Sequence, residues 1–539
     1  MPALLSDPFL QLPTASSVRV VWFTEFAGTL HTVSYGPDFE RIAVATTTKL
    51  SRLSEDRHSY VGVQSGDGRQ YQNVTRRDVW RHEAEVTGLT SGVRLPYRVT
   101  SVDDEAVSSR AFTLAPLPVP GTPLKILLTS DHQLMPMTAA NLQMVEQTVG
   151  RVDAVFFAGD LVNMPDRASE WFDDIRGSAF FPVLQGRAYR TLGEHTYRGG
   201  EVLQHAPLYT AIGNHEVMGV ASEMRLSLDA RPRAVALGLN SLPEQTPEPW
   251  LLNNSFNTLT YEELLTLPPS SGGGRYYAVT FGDVRLVSLY ATRLWRPYTL
   301  GSKGKYSERE EDLDNPDAWG HGEFIFEPIT RDSPQYTWLS AEVASPEFKQ
   351  AKFRVLMLHH PVHGVGGNIV PAFTDPVPFI EHNPDGTVRS IRYEYPKGAD
   401  QLVRNLKPLI EHSGVHLVLY GHCHLWNRFV DAGGTHYLET SNVGNSYGAY
   451  VSGSRRANIP SGYVEEYCAS GDPNGLEPVM PTIAPLRGED GQLLPYVASN
   501  DITVFTILDT GTGRVTSYRF NVYEPDSGVV EFDAFRLSM

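Results

Sequence analysis

Five short apolar runs of buried-strand type each stop at a small polar cluster, and this coincidence constrains the fold more than any other feature of the 539-residue chain. Leu124–Thr129 ends in Ser130-Asp131-His132-Gln133, and Val152–Phe157 leads to Gly159-Asp160. Leu208–Ile212 runs into Gly213-Asn214-His215-Glu216, Phe353–Leu358 into His359-His360-Pro361, and Val415–Tyr420 into Gly421-His422-Cys423-His424. Continuous apolar runs of about four to eight residues fit strands buried on both faces. The stretch Thr138–Val149 predicts a helix after the first run, so the unit starts strand–helix–strand and reads as α/β. Ligands of open α/β sheets bind beyond the carboxyl ends of strands. Taken singly, each cluster is an ordinary turn or a packed imidazole pair. Five in series predict one shared site.

Upstream the texture differs. Ser17–Trp22, His82–Val86 and Leu95–Thr100 alternate, with turn residues such as Thr87–Gly92 between them, which predicts a small β-sandwich. Pro116, Pro118, Pro120 and Pro123 then give a stretch that reads as a stiff linker. The expected organisation is a sandwich over 1–114, a linker over 115–123 and an α/β domain over 124–539. Within the last, insertions are expected at about 161–208, 219–274 and 452–498. The 46 glycines and 38 prolines suit such loops. Asp501–Leu508 and Val515–Val522 read as strands completing a sheet of the second domain.

A net charge of −17 argues against a nucleic-acid surface or an anionic-membrane binder. Cys423 and Cys468 are the two cysteines, too few for a disulfide framework. No apolar run approaches the roughly 20 residues of a membrane helix, and Met1–Pro8 shows neither a basic n-region nor an apolar h-region. The expectation is a cytoplasmic protein with no membrane and no nucleic-acid partner.

Carboxylate, amide and imidazole donors suit divalent or trivalent first-row metals, and soft Cys₄ sites are absent. Two metals about 3.5–4 Å apart, bridged by a carboxylate, clamp a phosphoester and activate water, while a nearby His can protonate the leaving oxygen. The series from Asp131 through Gly159-Asp160, Gly213-Asn214-His215-Glu216 and His359-His360-Pro361 to Gly421-His422-Cys423-His424 resembles the calcineurin-like metallophosphoesterase superfamily. Tyr276–Ser288 and Gln335–Leu339 look like the strand pair and helix found there. Glu85–Gly92 with Tyr97-Arg98-Val99 resembles the end of a fibronectin-III-like domain, in which a Leu plugs the core, and points to the purple acid phosphatase branch.

The resemblance implies a two-sheet sandwich flanked by helices, the metallophosphoesterase fold, preceded by the small all-β fibronectin-III-like sandwich. It implies that Asp160 bridges two metals, one also held by Asp131, Gln133 and His424, the other by Asn214, His359 and His422. His215, beside Asn214, would face the phosphate of a small phosphorylated substrate and act with Asp160 in catalysis. His363 is a candidate pocket residue, His360 reads as a support for its neighbour, and Cys423 as packing. Trp426 and Asn427 are expected to close over the metals.

Two positions depart from the family. Gln133 stands where it has His, which predicts a weaker first site and leaves Mn, Fe, Zn, Mg or Ca open as divalent or mixed-valence occupants, with Mn²⁺, Mg²⁺ or Ca²⁺ favoured over Fe³⁺ there. His132, in an extended strand end, would point away from Asp131. Asn163 stands where purple acid phosphatases carry a Tyr that gives ferric iron its colour, so the protein should not be purple. The implied function is a metal-dependent phosphoester hydrolase of the phosphatase type. A phosphodiesterase with the same site is the alternative, because Gly159–Asn163 also resembles that branch. A non-catalytic metal-binding or adhesion protein is the alternative of another class. The sandwich is expected to pack on the catalytic domain and shape one wall of its cleft.

Overall fold

The computed structural model of the protein describes residues 3–62, 71–217, 257–292, 306–315, 328–374, 377–456, 459 and 468–537. Most of the insertion expected at 219–274, and part of that at 452–498, lies outside the described residues.

Two sheets carry the larger part of the chain. The first has the order Leu208–Thr210, Ala154–Phe157, Lys125–Thr129, Ile502–Asp509, Arg514–Asn521, Val530–Arg536. Its first three strands are parallel and the rest antiparallel. The second has the order Tyr277–Phe281, Val284–Ser288, Phe353–Met357, Leu417–Tyr420, His436–Thr440, Trp426–Val430, Tyr496–Val497, with four parallel strands from Val284–Ser288 to His436–Thr440. Alternate side chains sort to opposite faces. Phe353, Val355, Met357, Leu417 and Leu419 join the core shared with the first sheet, while Leu356, Val418 and Tyr420 pack with Leu339, Leu406 and Ile410 of the covering helices. Burial on both faces is why these strands read as unbroken apolar runs.

The helix Thr138–Val149 buries Ala139, Ala140, Leu142, Met144 and Val145. It stops at Gly150, whose φ of 70° suits the residue that ends a helix. Asn141 Nδ2 pins it to the first sheet by donating to Thr503 Oγ1 at 2.8 Å and Val504 O at 2.7 Å. No helix among the described residues is long and apolar enough to cross a membrane.

Most of the described strands between residues 9 and 114 form two sheets, with Phe9–Gln11, Val18–Thr24, Trp80–Val86 and Thr46–Lys49 in one and Ala106–Ser108, Leu95–Val102, Leu30–Tyr35 and Arg41–Val44 in the other. Trp22, Val33, Leu89, Tyr97 and Phe112 fill the space between them. Phe9 and Phe23 are turned outward into the main core, with ring centroids 5.1 Å and 5.3 Å from Phe181. Residues 161–208, read from sequence as an insertion, contain helices Ala168–Phe172 and Phe180–Leu184 and a hairpin of Arg190–Leu192 with His195–Tyr197. The proline-rich stretch after Leu114 is seated on the fold, Leu117 N–H donating to Thr14 O at 2.8 Å and Gly121 N–H to Asp283 Oδ1 at 2.6 Å.

Inside the small sandwich, His31 and His82 stack with ring centroids 3.6 Å apart. His82 is held by Thr24 Oγ1 at 2.8 Å and Thr47 Oγ1 at 3.0 Å. Burial, then the His31 ring and Arg81, depress His82 from 6.5 to about 3. A depressed base stabilises the fold above the unfolded value and loses that contribution as pH falls through the window between the two. Between pH 7.5 and 4.5 the chain should therefore lose on the order of 2 kcal/mol through this group. His82→Gln should flatten that part of the pH dependence of thermal unfolding; an unchanged slope would contradict it.

Candidate metal centre

The five polar clusters stand at the carboxyl ends of parallel strands from both sheets, and the structure brings them together. Asp131 and Gln133 follow Lys125–Thr129, Asp160 follows Ala154–Phe157, and Asn214 and His215 follow Leu208–Thr210. From the second sheet, His359 follows Phe353–Met357, and His422 and His424 follow Leu417–Tyr420. The local backbone is not extended. Asp131 (φ 57°), Gln133 (37°), Asp160 (58°), His422 (81°) and His424 (56°) all take left-handed conformations, which are uncommon outside glycine and concentrate at functional sites. His422 and His424 thus share the site through a left-handed turn. His132 does point away, its ring against Phe157 at 4.6 Å and its Nε2 3.1 Å from Thr129 Oγ1.

Asp160 lies at the centre. Its Oδ1 accepts the His215 backbone N–H at 2.9 Å, and its Oδ2 lies 2.8 Å from Gln133 Nε2, 3.1 Å from His359 Nε2 and 4.0 Å from His215 Nε2. Asn214 Oδ1 is 3.1 Å from His359 Nε2, which is 3.3 Å from His422 Nδ1. On the other side Asp131 Oδ1 is 3.4 Å from His424 Nε2, and Asp131 Oδ2 accepts the His422 N–H at 2.9 Å. Burial favours a neutral Asp160, but His359 and His215 outweigh it and hold the carboxyl well below the ordinary range. Burial likewise opposes charge on His359, and Asp160 and Asp131 reverse this and raise it. Among the described residues the ion-pair partners of both carboxylates are imidazoles. Asp131, Asp160 and His359 offer ligand atoms within 4.8 Å of one another, as do His359, His360 and His422.

Two buried acids that the sequence did not single out hold these loops in place. Glu216 accepts the N–H groups of Asp160 at 2.8 Å, Leu161 at 2.7 Å and Gly213 at 2.6 Å. Burial, then the charge of Asp160, pushes its carboxyl up to about 8. Glu439 accepts the Cys423 N–H and the Ser441 hydroxyl, both at 2.8 Å, between the two imidazoles of that turn. Burial and then Asp131 raise it well above the carboxylate range. Glu216 is visible as the last residue of its motif, whereas Glu439 carries no local mark. Two glycines are required by space, since a Cβ on Gly213 would lie 2.2 Å from Asp160 Oδ1 and one on Gly421 would lie 2.0 Å from Asp131 Oδ2. At the rim, the half-exposed Tyr447 ring stacks on His424 at 5.0 Å.

Several expectations need correction. His363 does not line a pocket: it is fully buried, its Nδ1 2.7 Å from Asp472 Oδ2, with its ring edge-on to Tyr437. Trp426 and Asn427 do not close over the site. Trp426 is a core side chain donating to Ser517 Oγ at 3.0 Å, and Asn427 braces Glu439 and the Val365 N–H. His360 stacks on His422 at 3.9 Å, and Cys423 is buried in the core behind the second sheet.

The profile of the calcineurin-like phosphoesterase family matches residues 124–425, more than half of the chain. Among solved structures, purple acid phosphatase PPD1 from seeds of yellow lupin (Lupinus luteus) shares the fold at 13% identity and a TM-score of 0.53, over 98% of this chain and 74% of that one. A structure of PhoD matches at 12% identity and a TM-score of 0.44, over 99% of this chain and 90% of that one. No curated protein sequence matches. The matched segment opens at the strand Lys125–Thr129 and ends one residue past His424, so it contains every cluster of the centre, and the chain belongs to the calcineurin-like phosphoesterase family.

Proposed function

We propose that the protein is a metal-dependent phosphomonoesterase acting on small phosphorylated molecules. The observation that carries this reading is the convergence of Asp131, Gln133, Asn214, His359, His422 and His424 around Asp160, where the counter-charges among the described residues are imidazoles. The donors fit metal ions: they mix carboxylate, amide and imidazole, and Gln133 Oε1 is buried without a hydrogen-bond partner among the described residues. Asp131, Gln133, Asp160 and His424 would hold one ion, and Asp160, Asn214, His359 and His422 the other. Bound there, the metals supply water activation and stabilisation of charge on the phosphoryl oxygens.

The chain's own residues do the rest. His215 Nδ1 lies 2.8 Å from the Asn163 carbonyl and donates to it, which turns Nε2 toward the centre. In the protonated ring Nε2 carries a proton that can be passed to a leaving oxygen. Gln133 directs its amide nitrogen at Asp160 Oδ2, so a first-site ion needs the amide reversed or bound at Oε1. Asn163, in the position of the colour-giving Tyr, spends its side chain on Gln133 O at 2.8 Å.

Protein loaded with Mn²⁺, Fe or Zn should hydrolyse an aryl phosphate faster than its bis-aryl diester. A faster diester would reassign the substrate class, and no turnover of either between about pH 5 and 9 would refute the hydrolase reading. About two metals per chain are expected, and none after gentle purification would favour a non-catalytic protein. Gln133→His should tighten first-site binding by roughly 10–100-fold in calorimetric titration. Unchanged affinity would place Gln133 outside the coordination shell.

A further inference from the structure

A continuous chain of buried polar contacts runs from the N-terminal sandwich to His215. It begins at Asp56, whose Oδ2 lies 2.9 Å from Arg167 Nη2, with 1% and 9% of the two side chains exposed. Arg167 Nη1 pairs in turn with Glu170. Glu170 Oε2 accepts the backbone N–H groups of both Asn163 and Met164 at 2.8 Å. Asn163 then reaches the centre twice, through its Nδ2 on Gln133 O and its carbonyl on His215 Nδ1, both at 2.8 Å. Further contacts seat the same loop on the sandwich: Arg52 with Asp166 at 3.1 Å, Ser54 N–H to Asp166 O at 2.9 Å, and Ser169 Oγ to Glu55 at 2.8 Å.

We propose that Asp56, Arg167 and Glu170 are positioning residues, through which the sandwich fixes the orientation of the His215 ring toward Asp160. An imidazole turns about χ2 unless a ring nitrogen is tied, and here the tie is a carbonyl whose place depends on the grip of Glu170 on peptides 163 and 164. A buried carboxylate keeps that grip while its counter-ion is in place. Arg167 is that counter-ion, and Asp56 is what holds Arg167 from the sandwich side. Through these residues the sandwich contributes to the reaction from outside the centre. This inference rests on the hydrolase reading for its effect on rate, but not for its effect on the ring.

Arg77 crosses the same interface to Asp173 at 2.6 Å and pairs with Glu25 and Glu55 within the sandwich, outside the series from Asp56 to His215, so Arg77→Gln is the control. In the metal-loaded full chain, Asp56→Asn and Glu170→Gln should each lower kcat for an alkyl phosphate about tenfold. KM should stay within about twofold and metal content should not change, with Asp56→Glu recovering part of the loss. Arg77→Gln should leave kcat alone. In a His215→Ala background the Asp56→Asn loss should vanish, because the two act in series. An equal loss in that background, or a change in KM alone, would overturn the proposal. A second readout needs no substrate: the His215 Nδ1–H resonance should be slow to exchange in the wild type and in Arg77→Gln, and broadened in Asp56→Asn. An unaltered resonance in Asp56→Asn and Glu170→Gln overturns the positioning chain even if activity falls. A resonance broadened in the variants, with no phosphatase activity in the wild type, would instead sink the hydrolase reading and leave the positioning chain standing. Glu170→Gln answers the question if Asp56→Asn fails to fold.

Discussion

Asp160→Asn should empty the centre while leaving the fold intact. Asparagine has the shape of aspartate, and its Oδ1 can still accept the His215 N–H that Asp160 accepts at 2.9 Å. Neither the left-handed backbone at φ 58° nor the contact with Gly213 changes, because no atom is added. The charge is lost, and with it the group that faces His359, His215 and Gln133 together. Both ions are expected to share this carboxylate, so metal content should fall from about two per chain to less than one. Activity on an aryl phosphate should drop at least on the order of 10³-fold. Elemental analysis, turnover and a thermal melt of the metal-free protein distinguish the outcomes. A variant that keeps its metals and its rate would show that the centre does not depend on Asp160.

How far the sequence revealed this arrangement depends on how local each determinant is. The strands Lys125–Thr129, Phe353–Met357 and Leu417–Tyr420 and the helix Thr138–Val149 were legible because burial on both faces, or one buried stripe ended by Gly150, leaves a pattern in contiguous residues. The polar clusters were legible because their chemistry sits at the strand ends themselves. Residues 161–208 were not, because Trp171, Phe172, Phe180 and Phe181 are buried partly by Phe9 and Phe23 of the sandwich, far away in sequence. Glu439 and Glu170 were hidden for a related reason. Each is a single acid whose role is to accept backbone N–H groups outside its own helix or strand, and a lone Glu in sequence carries no mark of that. His363 misled in the opposite direction. A histidine close to a glycine-rich turn reads as exposed, yet Asp472, over 100 residues on, draws it into the interior.

His215→Ala should separate the two jobs of the centre, metal holding and proton delivery. His215 touches the cluster through its backbone N–H on Asp160 Oδ1, and alanine keeps that bond. Its ring, one-quarter exposed with Nε2 4.0 Å from Asp160 Oδ2, is the part that faces a substrate. Metal content should therefore stay the same, and KM should change little unless the ring also grips the phosphate. General acid catalysis contributes typically about 10²–10⁴-fold, so kcat for an alkyl phosphate should fall by that order. A 4-nitrophenyl leaving group departs as a stable anion and needs no proton, so the loss with it should be far smaller. The diagnostic quantity is thus the ratio of the two losses. An equal loss for both substrates would assign His215 to charge stabilisation on the phosphoryl group instead of proton transfer. No loss for either would remove it from the reaction, and with it the reason for the sandwich to hold its ring.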